Sequence, residues 1–237
     1  MKAFKEGNYP EAIDDFKHVL KMAPSEKITI WYLATSYDYE VVPYLDTPEN
    51  LKTADLAIAR FNQVLTFQAA HLFSLKQIAY LYRVTGRIDQ AKEYEQQVIA
   101  VVPNEAEGHF FLGVMDWVQA NEYASSRLKT DGLIDDGVGN LKKTARACSD
   151  LVAHNGSLVD EGIKELTRAI ELQPDYSDAM AYLNLMYRRR ADLYCGRPGD
   201  ERLDIETAYD WSKRSVLAKK QNPTGEQTAL PAHIPLQ

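Results

Sequence analysis

Catalysis or metal binding needs side chains that converge, and the candidates here are five histidines, two cysteines and one acidic run. His18, His71, His109, His154 and His233 are scattered, with no His-Glu-x-x-His pair, no Gly-x-Ser-x-Gly elbow and no glycine-rich phosphate loop. Asp131, Asp135 and Asp136 before Gly137 could attract calcium but lack the alternating oxygen ligands of an EF-hand loop, so they read as a solvated loop. Cys148 and Cys195 are too few for a disulfide scaffold and too far apart for a metal knuckle. The expectation is a non-catalytic chain with no catalytic residues, no metal and no cofactor.

The elements that would position any site follow from composition and period. The 237 residues are 45% hydrophobic and 26% charged, with only 12 Gly and 10 Pro, so helix is the first expectation and enough apolar material exists for a core. A net charge of −7 disfavours nucleic acid and anionic lipid as partners. No stretch approaches the roughly 18 apolar residues of a membrane span, and the first twenty residues lack the apolar region of a signal peptide.

A repeat organises the chain. Ala12, Ala57, Ala91 and Gly162 each stand twelve positions before a helix-ending residue, Pro24, Ala69, Pro103 and Pro174, and nine positions after each of those comes Leu33, Ile78, Leu112 or Leu183. The next residues are Ala34, Ala79, Gly113 and Asn184; Tyr37, Tyr82 and Tyr187 follow three further on, and Asp116 breaks that series. This spacing, with Gly7 to Phe16 as its strongest segment, resembles the tetratricopeptide repeat over about residues 4–220, although the tryptophan of its first helix is replaced by Ile30, Leu75, His109 and Met180. The resemblance implies an all-α, right-handed superhelix (an α-solenoid) of helix hairpins, about four and a half repeats long, with Ala79 and Gly113 at close crossings. Helices are predicted over about 10–22, 27–42, 48–67, 72–85, 88–101, 106–122, 158–172, 177–195 and 202–220.

The domain is read as 1–221, with 222–237 as a disordered C-terminal tail. Insertions near 43–53, 121–156 and 196–203 fall inside repeats rather than between them. The first has Thr47 as cap and Pro48 at the first helical position; the longest reads as a turn over 131–137, an added helix over 140–153 and a return helix capped by Ser157 and Asp160. The first repeat lacks its first helix, which points to an upstream continuation or to Ile13, Phe16 and Val19 left partly uncovered.

In tetratricopeptide proteins the first helices line a concave groove. Transferred here, the resemblance implies a groove of Trp31, Thr35, Lys76, Tyr80, Arg83, Phe110, Val114, Trp117 and Arg188, the aromatics giving contact area and the cations fixing carboxylates. The chaperone-binding clamp of the family does not match, since Trp31, Thr35 and Tyr80 stand at its places. Occlusion of the groove by the chain's own 121–156 segment is the competing structural reading. Asp175 to Arg188 and Thr47 to Asn50 resemble bacterial cell-envelope proteins of this family, which implies a periplasmic or envelope location, the cytoplasm being the alternative. The expected function is an adaptor that binds a protein or peptide. The alternatives are an architectural spacer that self-associates through its uncovered N-terminal helix, and an accessory domain of an enzyme encoded upstream. Because consecutive repeats stack, Cys148 and Cys195 either meet as a disulfide, which would imply an oxidising compartment, or remain two reduced thiols.

Overall fold

Short polar side chains start several helices, Thr47 at the expected place. Asn8 accepts from the Glu11 amide at 3.4 Å, Thr47 from Asn50 at 3.3 Å and Thr144 from Ala147 at 3.1 Å, while Pro10, Pro48 and Pro198 occupy first turns where a missing N–H costs nothing. The computed structural model describes residues 1–222, of which 77% are helical, and no strand occurs among them. The helices are α1 (Lys2–Lys5), α2 (Tyr9–Met22), α3 (Lys27–Glu40), α4 (Pro48–Phe67), α5 (Leu72–Val84), α6 (Ile88–Val101), α7 (Ala106–Thr130), α8 (Ala145–Leu172), α9 (Ser177–Ala191) and α10 (Pro198–Gln221). They form two compact units, one from Met1 to Pro103 and the other from Asn104 onward. The segment expected to be a tail lies, past Asn222, outside the described residues.

In the first unit α3 packs on α4 and α5 on α6, and consecutive hairpins share a core through α2 with α3 and α4 with α5. Ala12, Leu33, Ala57, Ile78, Ala79 and Ala91, all picked out by spacing, are fully buried. Of the three residues that one of the two readings left partly uncovered, Ile13 and Phe16 are buried at 8% and 4% exposure and Val19 is partly buried. The short α1 contributes to this, because its Phe4 ring lies 6.2 Å from Phe16 and 5.0 Å from Tyr32. Asn50 organises the loop after α3: its Oδ1 accepts from the Val42 amide, and its Nδ2 donates to the carbonyls of Val42 and Leu45, all at 2.8–2.9 Å.

In the second unit the long insertion differs from expectation. There is no separate added helix and no cap at Ser157: both partners of one hairpin are lengthened, α7 running to Thr130 and α8 starting at Ala145. The reason is an unbroken buried stripe, Ala120, Ala124 and Leu128 on one helix against Ala147, Leu151, Asn155, Val159, Gly162 and Leu166 on the other. Asn155 fastens the pair by donating to the Ala120 carbonyl at 2.8 Å. α9 ends at Ala191 rather than reaching Cys195, and α10 starts at Pro198, four residues ahead of expectation. Cys148 on α8 and Cys195 in the turn after α9 form a disulfide with Cα atoms 5.8 Å apart. It closes a separation of 47 residues, a constraint worth about 2–4 kcal/mol through the unfolded chain.

The closest helix approach is measurable at two glycines. A Cβ on Gly113 would lie 2.5 Å from Leu166 Cγ and 3.1 Å from the Gly162 carbonyl oxygen, whereas one on Gly162 would meet chiefly the terminal methyl of Met186. Leu166 cannot retreat at its branch point, but the Met186 methyl can swing aside. Gly113→Ala should therefore lower unfolding stability by about 1–3 kcal/mol, while Gly162→Ala stays within about 1 kcal/mol of the parent in urea titrations. Equal losses in both variants would show that the crossing is misplaced.

Candidate functional site

In the first unit, α3 and α5 bring together side chains that the hairpin cores do not consume. Trp31 and Phe73 have ring centroids 5.6 Å apart, and Gln77 Nε2 donates to Asp38 Oδ2 at 3.0 Å, so the faces bearing these residues adjoin. Trp31, Lys76, Tyr80 and Arg83 are partly buried there, with Phe73 40% exposed. The Arg83 guanidinium stands 5.6 Å from the centre of the Tyr80 ring. Tyr44, in left-handed backbone at φ 61°, comes from the loop after α3 and ties it to α5 through its N–H on the Val84 carbonyl at 3.0 Å. Burial raises the phenol pKa of both Tyr44 and Tyr80; the Asp38 charge adds to the rise at Tyr80, and Arg83 opposes it at both.

Asp38 is the strongest electrostatic anomaly of this face. It is 8% exposed, its Oδ1 accepts no hydrogen bond, and burial pushes its carboxyl up to about 7. Thr35, one turn earlier, is also buried and donates its hydroxyl to the Trp31 carbonyl at 3.0 Å, so that hydroxyl is engaged within α3 and not offered to a ligand.

In the second unit the groove assignments fare differently. Phe110 and Val114 are core residues, at 0% and 2% exposure. Phe110 is ringed by Phe111, Tyr176 and Tyr182 at 4.8–5.8 Å, because α7 packs on α9 as well as on α8 and so buries two faces. Trp117 is partly buried, edge-on to Tyr182 at 5.3 Å. Arg188 donates to the Gly137 carbonyl at 2.8 Å and to Asn184 at 3.0 Å, and lies 5.0 Å from the centre of the Tyr209 ring, so its cation holds a loop.

That loop, 131–144, also accounts for the acidic run. Asp131 takes Arg127 at 2.8 Å and Thr144 at 2.6 Å, Asp136 caps the amides of Val138 and Asn140 at 2.9 Å, and Asp135 pairs with Arg189 at 2.7 Å. Arg189, 3% exposed, reaches Asp192 as well at 3.1 Å, and Asn140 joins the two carboxylates through Nδ2 at 3.0 and 2.7 Å. Burial pushes Asp192 up to about 6, opposed by Arg189 and Asn140; at Asp135 burial raises the pKa, but Arg189 outweighs it and the net direction is down. The sequence reading passed over this network; its signal was three consecutive arginines, Arg188 to Arg190, followed by Asp192. Among the described residues no three His, Cys, Asp or Glu side chains are grouped to hold a metal ion.

No protein-family model matches the chain, and no curated protein matches it by sequence. Solved structures do. Two crystal structures of MamA superpose with TM-scores of 0.59 and 0.60 at 15% and 14% identity, spanning 97% and 94% of this chain and 93% and 95% of theirs. A MamA fragment from Desulfovibrio magneticus RS-1, 41 to its end, gives 0.58 at 14% identity over 93% of this chain and 90% of that one. The fold is of the tetratricopeptide type. At such identity the likeness extends to the helical-repeat fold and not to any ligand. Within a tetratricopeptide hairpin stack, the one strip that combines partly exposed aromatics, cations and an unsatisfied buried carboxylate is α3–α5, among the described residues of the first unit. No helix among the described residues is long and apolar enough to cross a membrane.

The Asp38 anomaly has a pH signature. Its carboxyl keeps its proton in the folded state up to about 7, while the unfolded chain releases it near 4, so stability falls as pH rises between those values and stays lower above them. The difference is at most on the order of 4 kcal/mol. Asp38→Asn should melt higher than the parent at pH 8 and close to it at pH 4.5. A melting difference that is the same at both pH values would remove the burial argument.

Proposed function

We propose that the chain is a non-catalytic scaffold that takes up an extended peptide segment of a partner protein on the α3–α5 face of its first unit. The observation that carries this reading is the strip itself: Trp31 and Tyr80 present aromatic rings that their own hairpins leave partly exposed, with Lys76 and Arg83 on the same side of α5. Rigid aromatics give large contact area at small entropy cost, and neighbouring cations select carboxylates in the peptide. Of the residues assigned to a groove from sequence, Trp31, Lys76, Tyr80 and Arg83 remain in the proposed site; Trp117 and Arg188 belong to the second unit and are outside it.

The Cys148–Cys195 disulfide supports placing the protein in an oxidising compartment, the bacterial periplasm or cell envelope. A second reading, self-association, is favoured by a cleft of about 550 Å³ beside α2, lined by Phe16, Val19, Ile28 and Tyr32, with Ile28 65% exposed. Light scattering on a size-exclusion column over a hundredfold concentration range separates it from a monomeric adaptor.

The main reading is tested with a displayed library of random heptapeptides panned on the intact protein. Enriched peptides should lose about 10- to 30-fold in affinity against Tyr80→Ala, the scale of an aromatic anchor, and keep their affinity for Trp117→Ala. Enrichment that is indifferent to Tyr80→Ala, or no enrichment at all, contradicts the proposal.

A further inference from the structure

Within the α3–α5 strip one group is only half used by the folded chain. Asp38 lies seven residues after Trp31 on α3, about 10.5 Å along the helix on the same face. Its Oδ2 is served by Gln77, but its Oδ1 takes no hydrogen bond, and Asp38 makes no ion pair among the described residues. Three other enclosed carboxylates each meet an arginine. Asp135 and Asp192 both meet Arg189, and Asp204 meets Arg190 through two hydrogen bonds at 2.6 and 2.7 Å. Leaving a buried carboxylate half-satisfied is costly, because it has lost water without gaining a counter-ion. At the other end of the strip the Trp31 Nε1–H is likewise buried without an acceptor. The face therefore pairs an unused acceptor at Asp38 with an unused donor at Trp31, spaced as about three residues of extended peptide at roughly 3.3 Å each.

We propose that this face reads a lysine or arginine side chain in the bound peptide, whose cationic nitrogen donates to Asp38 Oδ1 while a peptide carbonyl about three residues away accepts from Trp31 Nε1. The inference rests on the peptide-binding reading above and adds the chemistry of the ligand. A cation at Asp38 supplies both the missing hydrogen bond and the missing counter-charge, at a buried carboxylate where water screens the pair weakly. A metal ion is a poor fit, since no three His, Cys, Asp or Glu side chains are grouped to hold one among the described residues.

The test uses the heptapeptide library on the parent and on Asp38→Asn at pH 8, where the Asp38 carboxyl is ionised. Parent selections should show Lys or Arg at one fixed position, and Asp38→Asn selections should lose that preference at least tenfold while still enriching peptides. On one parent-selected peptide, replacing the basic residue with norleucine should weaken binding to the parent at least tenfold and to Asp38→Asn less than threefold, a double-mutant cycle that holds whatever the stability of the variant. Parent selections without a fixed basic position, or a basic preference kept by Asp38→Asn, overturn this inference and leave the peptide-binding reading standing. Absence of any Tyr80-dependent enrichment overturns both.

Discussion

A helix hairpin shares a core only if its two helices approach closely, and this constraint governs most of the molecule. At Gly113 a single added carbon would overlap Leu166, and Ala12, Ala57, Ala79 and Ala91 sit at crossings with no exposed surface. Close approach fixes the rotation of each helix about its axis, and rotation decides which residues are left over. On α3 the crossing buries Leu33, Ala34 and Tyr37, which turns Trp31 toward Phe73 and Asp38 toward Gln77. The candidate site is thus a by-product of packing: residues on its strip are those that the hairpin cores could not use.

The acidic cluster at Arg189 and the lone carboxylate of Asp38 show how differently the same chemistry can be deployed. Around Arg189 every loop carboxylate finds a donor, and the outcome is a fastened loop: Asp135, Asn140 and Asp192 hold 131–144 against α9, with the Cys148–Cys195 bridge beside them and Cys148 Sγ 3.7 Å from the Asp192 carbonyl. An ion pair so enclosed gives little net stability but sets one geometry, since removing either partner leaves a buried charge. Asp38 has no such partner and holds its proton instead, at a cost in stability above neutral pH. Groups that destabilise the fold in this way are expected at functional positions, where a ligand makes good the deficit.

Legibility in the sequence followed the range of the interaction. The junction residues Leu33, Ile78, Leu112 and Leu183 and the helices Pro48–Phe67 and Ile88–Val101 were readable because caps, prolines and a 3.6-residue period act within a few positions. The 121–156 segment was misread as an extra helix because Gly156 and Ser157 look like a break; the stripe from Ala147 through Val159 that overrides them becomes decisive only with α7 opposite. Phe110 and Val114 were assigned to a groove by the family resemblance and their helical phase, and phase does not reveal that α7 has a second partner in α9. The pair Arg189 and Asp135, 54 positions apart, joins residues whose spacing carries no period, and nothing in the sequence around Asp38 signals that its neighbours leave it half-satisfied.

The central claim is that the strip between α3 and α5, and no other surface, takes up peptide. Residue-resolved amide hydrogen exchange on the protein with and without a saturating library-selected peptide reads this directly. The account predicts slowed exchange concentrated in Trp31–Asp38 and Lys76–Arg83, with α8 and α10 unchanged. Slowed exchange confined to α2, or to the second unit, would place the binding surface elsewhere and contradict it.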